Sequence, residues 1–214
     1  MPMNLRIENR FLTVILSIVL SLQSYARDTT LFARMSESFR VSCVEISYSY
    51  STVINGIKTV GSGELTVQGL CYIMKGDGLE VVSDGRDMWV LDRSSKEVVI
   101  TSVDRSSFEA MANPVVLVMD MERFFSIKES VETDSGAAVE YLLQPKEDTG
   151  MKEARVIVLK KDASITSLSF ILDDGVAFEI KVNNFRHLPL KESDAFVCPS
   201  SMFDYSWVVT DLRQ

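Results

Sequence analysis

A single histidine, His187, stands just before Leu188 and Pro189 in a chain of 214 residues. One imidazole cannot build a histidine zinc site, and at a strand end it reads as a surface or capping group rather than a general base. Serines are plentiful, yet no Gly-x-Ser-x-Gly elbow presents one for nucleophilic attack. Asp84 and the pair Asp173-Asp174 precede Gly85 and Gly175, where a carboxylate hydrogen-bonds its own turn. Gly76-Asp77-Gly78 opens no helix and so is no phosphate loop. Cys43, Cys71 and Cys198 lack metal-ligand spacing. In an exported protein two of them could form a disulfide, but Cys43 and Cys71 lie in apolar strand contexts that suit buried free thiols. No catalytic residue, metal or cofactor is implied, and the chain is not expected to be an enzyme.

The chemistry that remains is apolar, and 46% of the residues are hydrophobic. Met1 to Arg10 is polar, Phe11 to Leu22 is an apolar run of about a dozen residues, and Ser24-Tyr25-Ala26 is a small-x-small cleavage site. A membrane span needs about 20 apolar residues. Residues 1–26 therefore read as a cleaved signal peptide, 27–214 as one domain, and no cysteine stands near the site to carry a lipid anchor. The whole chain carries a formal net charge of −8, and losing Arg6, Arg10 and Glu8 leaves the mature protein one unit more negative. Nucleic acid and anionic membrane surfaces are poor partners for it.

The mature chain opens with a helix that Thr29 or Thr30 can cap, and Leu31, Phe32, Met35 and Phe39 give it one apolar face. From Val44 to Thr52 the alternation is that of a half-wet strand, with Val44, Ile46, Tyr48 and Tyr50 on one side. Asn55-Gly56 turns it back into a meander, Gly61 to Asp92, punctuated by Gly76-Asp77-Gly78 and Asp84-Gly85. Glu97 to Val103 adds a strand. The period then changes: Arg105 to Met111 and Val115 to Phe125 read as two short helices, the second too apolar to be one-sided. Strands resume at Ile127 and run, through a hairpin around Asp173-Asp174-Gly175, to a last one near Val208. The fold class is α+β, a curled antiparallel sheet of roughly ten or eleven strands whose concave face is covered by helices. Core-facing and cavity-facing residues share one alternation, and on pattern alone a filled core is favoured.

Several of these segments resemble the LolA-type outer-membrane lipoprotein carriers. They are Gly63-x-Leu65, Tyr72, Val82-Ser83-Asp84-Gly85 followed by Trp89 and Asp92, Gln144-Pro145-Lys146, Asn184, Phe196 before Pro199, and the terminal Val209 to Arg213. The likeness rests on their order and spans nearly all of the chain after the first thirty residues. It implies a half-open β-barrel whose interior holds acyl chains, a periplasmic monomer, and transfer of lipoproteins from the inner to the outer membrane. The implied partners are an acylated lipoprotein or lipid, an inner-membrane transporter and an outer-membrane acceptor. A lipid-binding sensor or lipid-transfer module of the same fold is the alternative. The expected cavity residues are Tyr48, Tyr50, Trp89, Leu91, Phe170, Leu172, Phe178 and Ile180, and the expected lid is Leu117, Val118, Met121 and Phe124. Met111, Met119 and Met121 would let that lid re-pack around cargo. The family's lid-gating arginine, expected after the first meander strand, has no counterpart in Tyr72-Ile73-Met74-Lys75.

Overall fold

The computed structural model describes residues 29–103, 114–147 and 150–213. The expected leader and the expected helix from Arg105 to Met111 lie outside the described residues. Helix α1 spans 29–41, and Leu31, Phe32, Met35 and Phe39 are all buried along one side of it. The first six strands follow without interruption: β1 (Cys43–Ile54), β2 (Ile57–Gln68), β3 (Cys71–Gly76), β4 (Leu79–Asp84), β5 (Asp87–Asp92) and β6 (Glu97–Ser102). Positive φ at Asn55 (51°) and Gly56 (77°) closes the β1–β2 hairpin in two residues, a turn whose twist matches that of its strands.

Two short helices come next, α2 (Pro114–Met119) and α3 (Met121–Phe124), where the sequence suggested one helix to Phe125. They part at Asp120, and α3 runs directly into β7 (Phe125–Thr133). The remaining strands are β8 (Ala138–Pro145), β9 (Met151–Leu159), β10 (Ile165–Leu172), β11 (Ala177–Leu188) and β12 (Val208–Asp211).

All of these strands form one 12-stranded sheet, in the order β12, β6, β5, β4, β3, β2, β1, β11, β10, β9, β8, β7. Several expectations are corrected here. The strand count is higher than ten or eleven, and β12 lies parallel to β6, so the sheet is largely rather than wholly antiparallel. The sheet is also not closed, because β12 and β7 are its edges and pair only inward. The fold is thus mostly β rather than the expected α+β, and the sheet is open and not strongly curled, with few short helices among the described residues.

Strand alternation builds two apolar clusters on opposite faces. On the first face α1, α2 and α3 pack against residues such as Val44, Ile46, Tyr72, Tyr141 and Val156. On the second, Val82, Trp89, Leu91, Val98 and Ile100 are joined by Cys198, Phe203 and Trp207 from the C-terminal segment. Cys43, Cys71 and Cys198 are all free, the first and last of them buried. Burial raises each thiol above its ordinary pKa, which keeps it protonated and unreactive.

Candidate lipid-binding cavity

The first face carries a cavity because helix and sheet meet through side chains of unequal reach. Phe32 of α1 packs on Tyr141 of β8, with ring centroids 5.1 Å apart, and Phe39 packs edge-on against Phe185 of β11 at 6.0 Å. Between these anchors and α2 lies a space of about 100 Å³. It is lined by Phe39, Ile46, Tyr48, Leu65, Met74, Val115, Val118, Ile165, Leu168, Ile180 and Val182, none of them charged. The register explains this lining: Ile46 stands opposite Leu65 and Leu65 opposite Met74, while Tyr48 faces Val182 and Ile180 faces Leu168. Two cross-strand rows thus supply the floor and α2 the roof.

Two glycines of β2 set where the tyrosines lie. A Cβ on Gly63 would stand 2.5 Å from the Tyr48 hydroxyl, and one on Gly61 would stand 2.6 Å from the Tyr50 ring. Both rings therefore lie flat over β2, which only a bare backbone permits. The Tyr50 hydroxyl donates to the Asp77 carboxylate, and this bond raises the phenol pKa. The Tyr48 phenol is raised chiefly by burial. Both stay neutral around the cavity mouth.

The roof is held by a cation. Nη2 of Arg40, at the end of α1, donates to the Met119 carbonyl at 2.5 Å and to the Asp120 carboxylate at 3.3 Å. It thus pins the junction where α2 gives way to α3. Lys146 adds a second tie, donating through Nζ to the Glu122 carbonyl at 2.7 Å. Lys75, in the meander, pairs instead with Glu80 at 3.6 Å.

Of the expected cavity residues, Tyr48 and Ile180 line the space. Tyr50, Phe170 and Phe178 share that face: Tyr50 stands opposite Ile180, and the two phenylalanine rings lie 5.2 Å apart one row further out. Leu172 is half-buried at the end of β10. Trp89 and Leu91 are on the other face, Trp89 in the row that runs Ile73, Val82, Trp89, Ile100 and Leu91 in the next, between Glu80 and Val98. Alternation shows which residues share a face but not which of the two faces it is. Of the expected lid, Val118 lines the cavity, whereas Leu117, Met121 and Phe124 pack in the cluster around it. Phe39, Ile46, Leu65, Met74, Val115, Ile165, Leu168 and Val182 also line the space and were not among the expected cavity residues, although Ile46, Leu65 and Leu168 were legible from the strand alternation. Nothing in the sequence around Arg40 marked it as a clasp.

The geometry at the single histidine is not that of a nucleophile and its base. Ser42 Oγ lies 3.4 Å from His187 Nδ1, but its own hydrogen is donated to the Ser38 carbonyl at 2.5 Å. Among the described residues no group of three or more His, Cys, Asp or Glu side chains is placed to hold a metal, and no helix is long and apolar enough to cross a membrane.

The described residues thus form an open sheet with an uncharged cavity under short helices. The chain belongs to the LolA family: the model for "Outer membrane lipoprotein carrier protein LolA" matches residues 72–198. No curated protein matches it by sequence. Among solved structures, an uncharacterized conserved protein from Thermus thermophilus is similar in fold at 12% identity, covering 87% of this chain and 99% of that one, with a TM-score of 0.54. A LolA superfamily protein from Nitrosomonas europaea is 10% identical over 79% of this chain and 97% of its own, with a TM-score of 0.45.

Proposed function

We propose that this protein is a periplasmic carrier that shields the acyl chains of lipoproteins between the inner and outer membranes. It would act as a monomer, exported by a signal peptide at residues 1–26 and built as one domain from 27 to 214. The observation that carries the reading is the uncharged cavity of about 100 Å³ between α1, α2 and the sheet. Burying a dozen methylenes there would recover roughly 10 kcal/mol. The present volume is only about three waters' worth of liquid, so an acyl chain must enlarge it. The Arg40 clasp, partly exposed and worth about 1 kcal/mol, is weaker than that gain. Cargo would therefore open the roof, with Arg40 closing it over the empty protein.

The small resting volume also favours a second reading, a lipid-binding sensor or transfer module with a single-chain ligand. Native mass spectrometry of the mature protein from its own periplasm, with extraction of whatever is bound, separates the two. A stoichiometric acylated protein or peptide is expected for the carrier and a free lipid for the module. A protein that arrives empty and fails to bind an environment-sensitive fatty-acid probe would sink both.

A further inference from the structure

The β1–β2 hairpin outreaches its neighbours. β1 is matched by β2 out to Ile54, but β3 pairs with β2 only from Gly63 to Gln68. The outer side of residues 57–62 thus has no strand beside it among the described residues. The two-residue turn makes Ile54 and Ile57 a hydrogen-bonded pair, so alternation directs the N–H and C=O groups of Lys58 and Val60 away from β1. Ile57 and Val60 are 71% and 68% exposed. No proline blunts this edge, and Lys58 is its only charge.

This edge begins where the cavity ends. Ile180, on the cavity wall, stands opposite Tyr50, and Tyr50 opposite Gly61. Gly61 therefore belongs both to the outermost row of the cavity and to the unpaired edge. From there the edge runs outward to Ile57, about 14 Å, the length of an extended peptide of some four or five residues.

We propose that the free edge of β2, residues 57–62, binds by strand addition the polypeptide segment next to the acylated residue of a lipoprotein cargo. The proposal rests on the carrier reading above, and it adds how the protein part of the cargo is held. Acyl chains entering past Tyr50 bring the attached backbone to Gly61. Main-chain hydrogen bonds read no side chains, so one edge serves cargoes of unrelated sequence. A second copy of this chain fits less well. Matching its outward groups to these about a two-fold axis either sets Lys58 against its own copy or runs the Asn55-Gly56 turn into the end of β3.

The test compares three probes on the unaltered mature protein: a diacylglyceryl-cysteine peptide of about eight residues, the same lipopeptide N-methylated at alternate positions, and the fatty-acid probe. The plain lipopeptide is expected to bind about tenfold more tightly than the N-methylated one. Only the plain form should slow amide hydrogen exchange at Lys58 and Val60. In Val60→Pro, which deletes one outward N–H at a position where an edge tolerates proline, the tenfold preference should vanish while fatty-acid affinity is kept. Equal affinities with unchanged exchange at Lys58 and Val60 would overturn strand addition and leave the carrier reading standing. Failure of all three probes to bind would overturn the carrier reading itself. If Val60→Pro does not fold, the N-methyl comparison on the unaltered protein decides alone.

Discussion

Strands β3 to β5 serve two cores with the same residues taken alternately, and the two cores are built for different ends. On the second face, Trp89 and its row are covered by the C-terminal segment, whose Phe203 and Trp207 rings pack 5.2 Å apart. That segment is tied down by the pairing of β12 with β6 and by Arg213, whose Nη1 donates to the nearly buried Asp87 at 2.8 Å. On the first face the cover is α1 and α2: α1 is anchored by Phe32 on Tyr141 and Phe39 on Phe185, and α2 lies over an unfilled space, tied by aliphatic contacts and the Arg40 clasp. A wide aromatic covered by a strand and ion pairs makes a permanent core. Under the proposed carrier reading, the face beneath the short clasped helix is the one that would open.

The strongest way to break this contrast is Trp89→Ala. Truncating a large buried aromatic should cost about 3–5 kcal/mol in urea unfolding, while the fatty-acid probe should bind the folded fraction with unchanged affinity. A parallel loss of probe binding would mean that the faces are coupled. Ile180→Trp acts on the other side of the comparison. It fills the outer end of the cavity and should weaken probe binding at least about tenfold, or roughly 1.4 kcal/mol, with a stability change within about 1–3 kcal/mol. Both native tryptophans, Trp89 and Trp207, lie on the second face, so the new indole would report on the cavity separately.

Arg40→Ala should have a smaller effect on stability, about 1 kcal/mol, since the side chain is partly exposed. Its sharper signature is kinetic: faster probe association in stopped-flow fluorescence, because the roof opens more readily. Unchanged rates would remove Arg40 from any gating role.

The mildest effect concerns acid. Hydrogen bonds from Arg86 and then Arg213 lower the Asp87 pKa, and Arg213 holds Asp211 down to about 2. A carboxylate depressed on folding contributes stability above its unfolded value of about 3.9, and that contribution is lost as pH falls through the folded value. Tryptophan emission should therefore shift between about pH 4 and pH 2, before the far-UV signal is lost, as β12 frays from β6. Arg213→Gln should bring the shift to higher pH.

Much of this molecule is written locally. The apolar face of α1 follows from Leu31, Phe32, Met35 and Phe39 at helical spacing, and the hairpins at Asn55-Gly56 and Asp77-Gly78 follow from residues that tolerate positive φ. The alternation from Val44 to Tyr50 set Tyr48 and Ile46 on one side, and both reached the cavity. These features depend on neighbours in the chain, which a sequence displays directly.

What the tertiary structure alone decided is everything that needs a partner from far away. Trp89 and Leu91 share a face, as their spacing requires, but the C-terminal segment claimed that face, and α1 and α2 claimed the other. Arg40 became a clasp because the end of α1 meets Met119 and Asp120, about eighty residues on. Among the described residues, β2 has a free edge because β3 stops at Gly76 while β1 runs on to Ile54. A period of two fixes the relative direction of side chains along a strand. The absolute direction is set only when a second layer arrives to cover one side, and that is a long-range event.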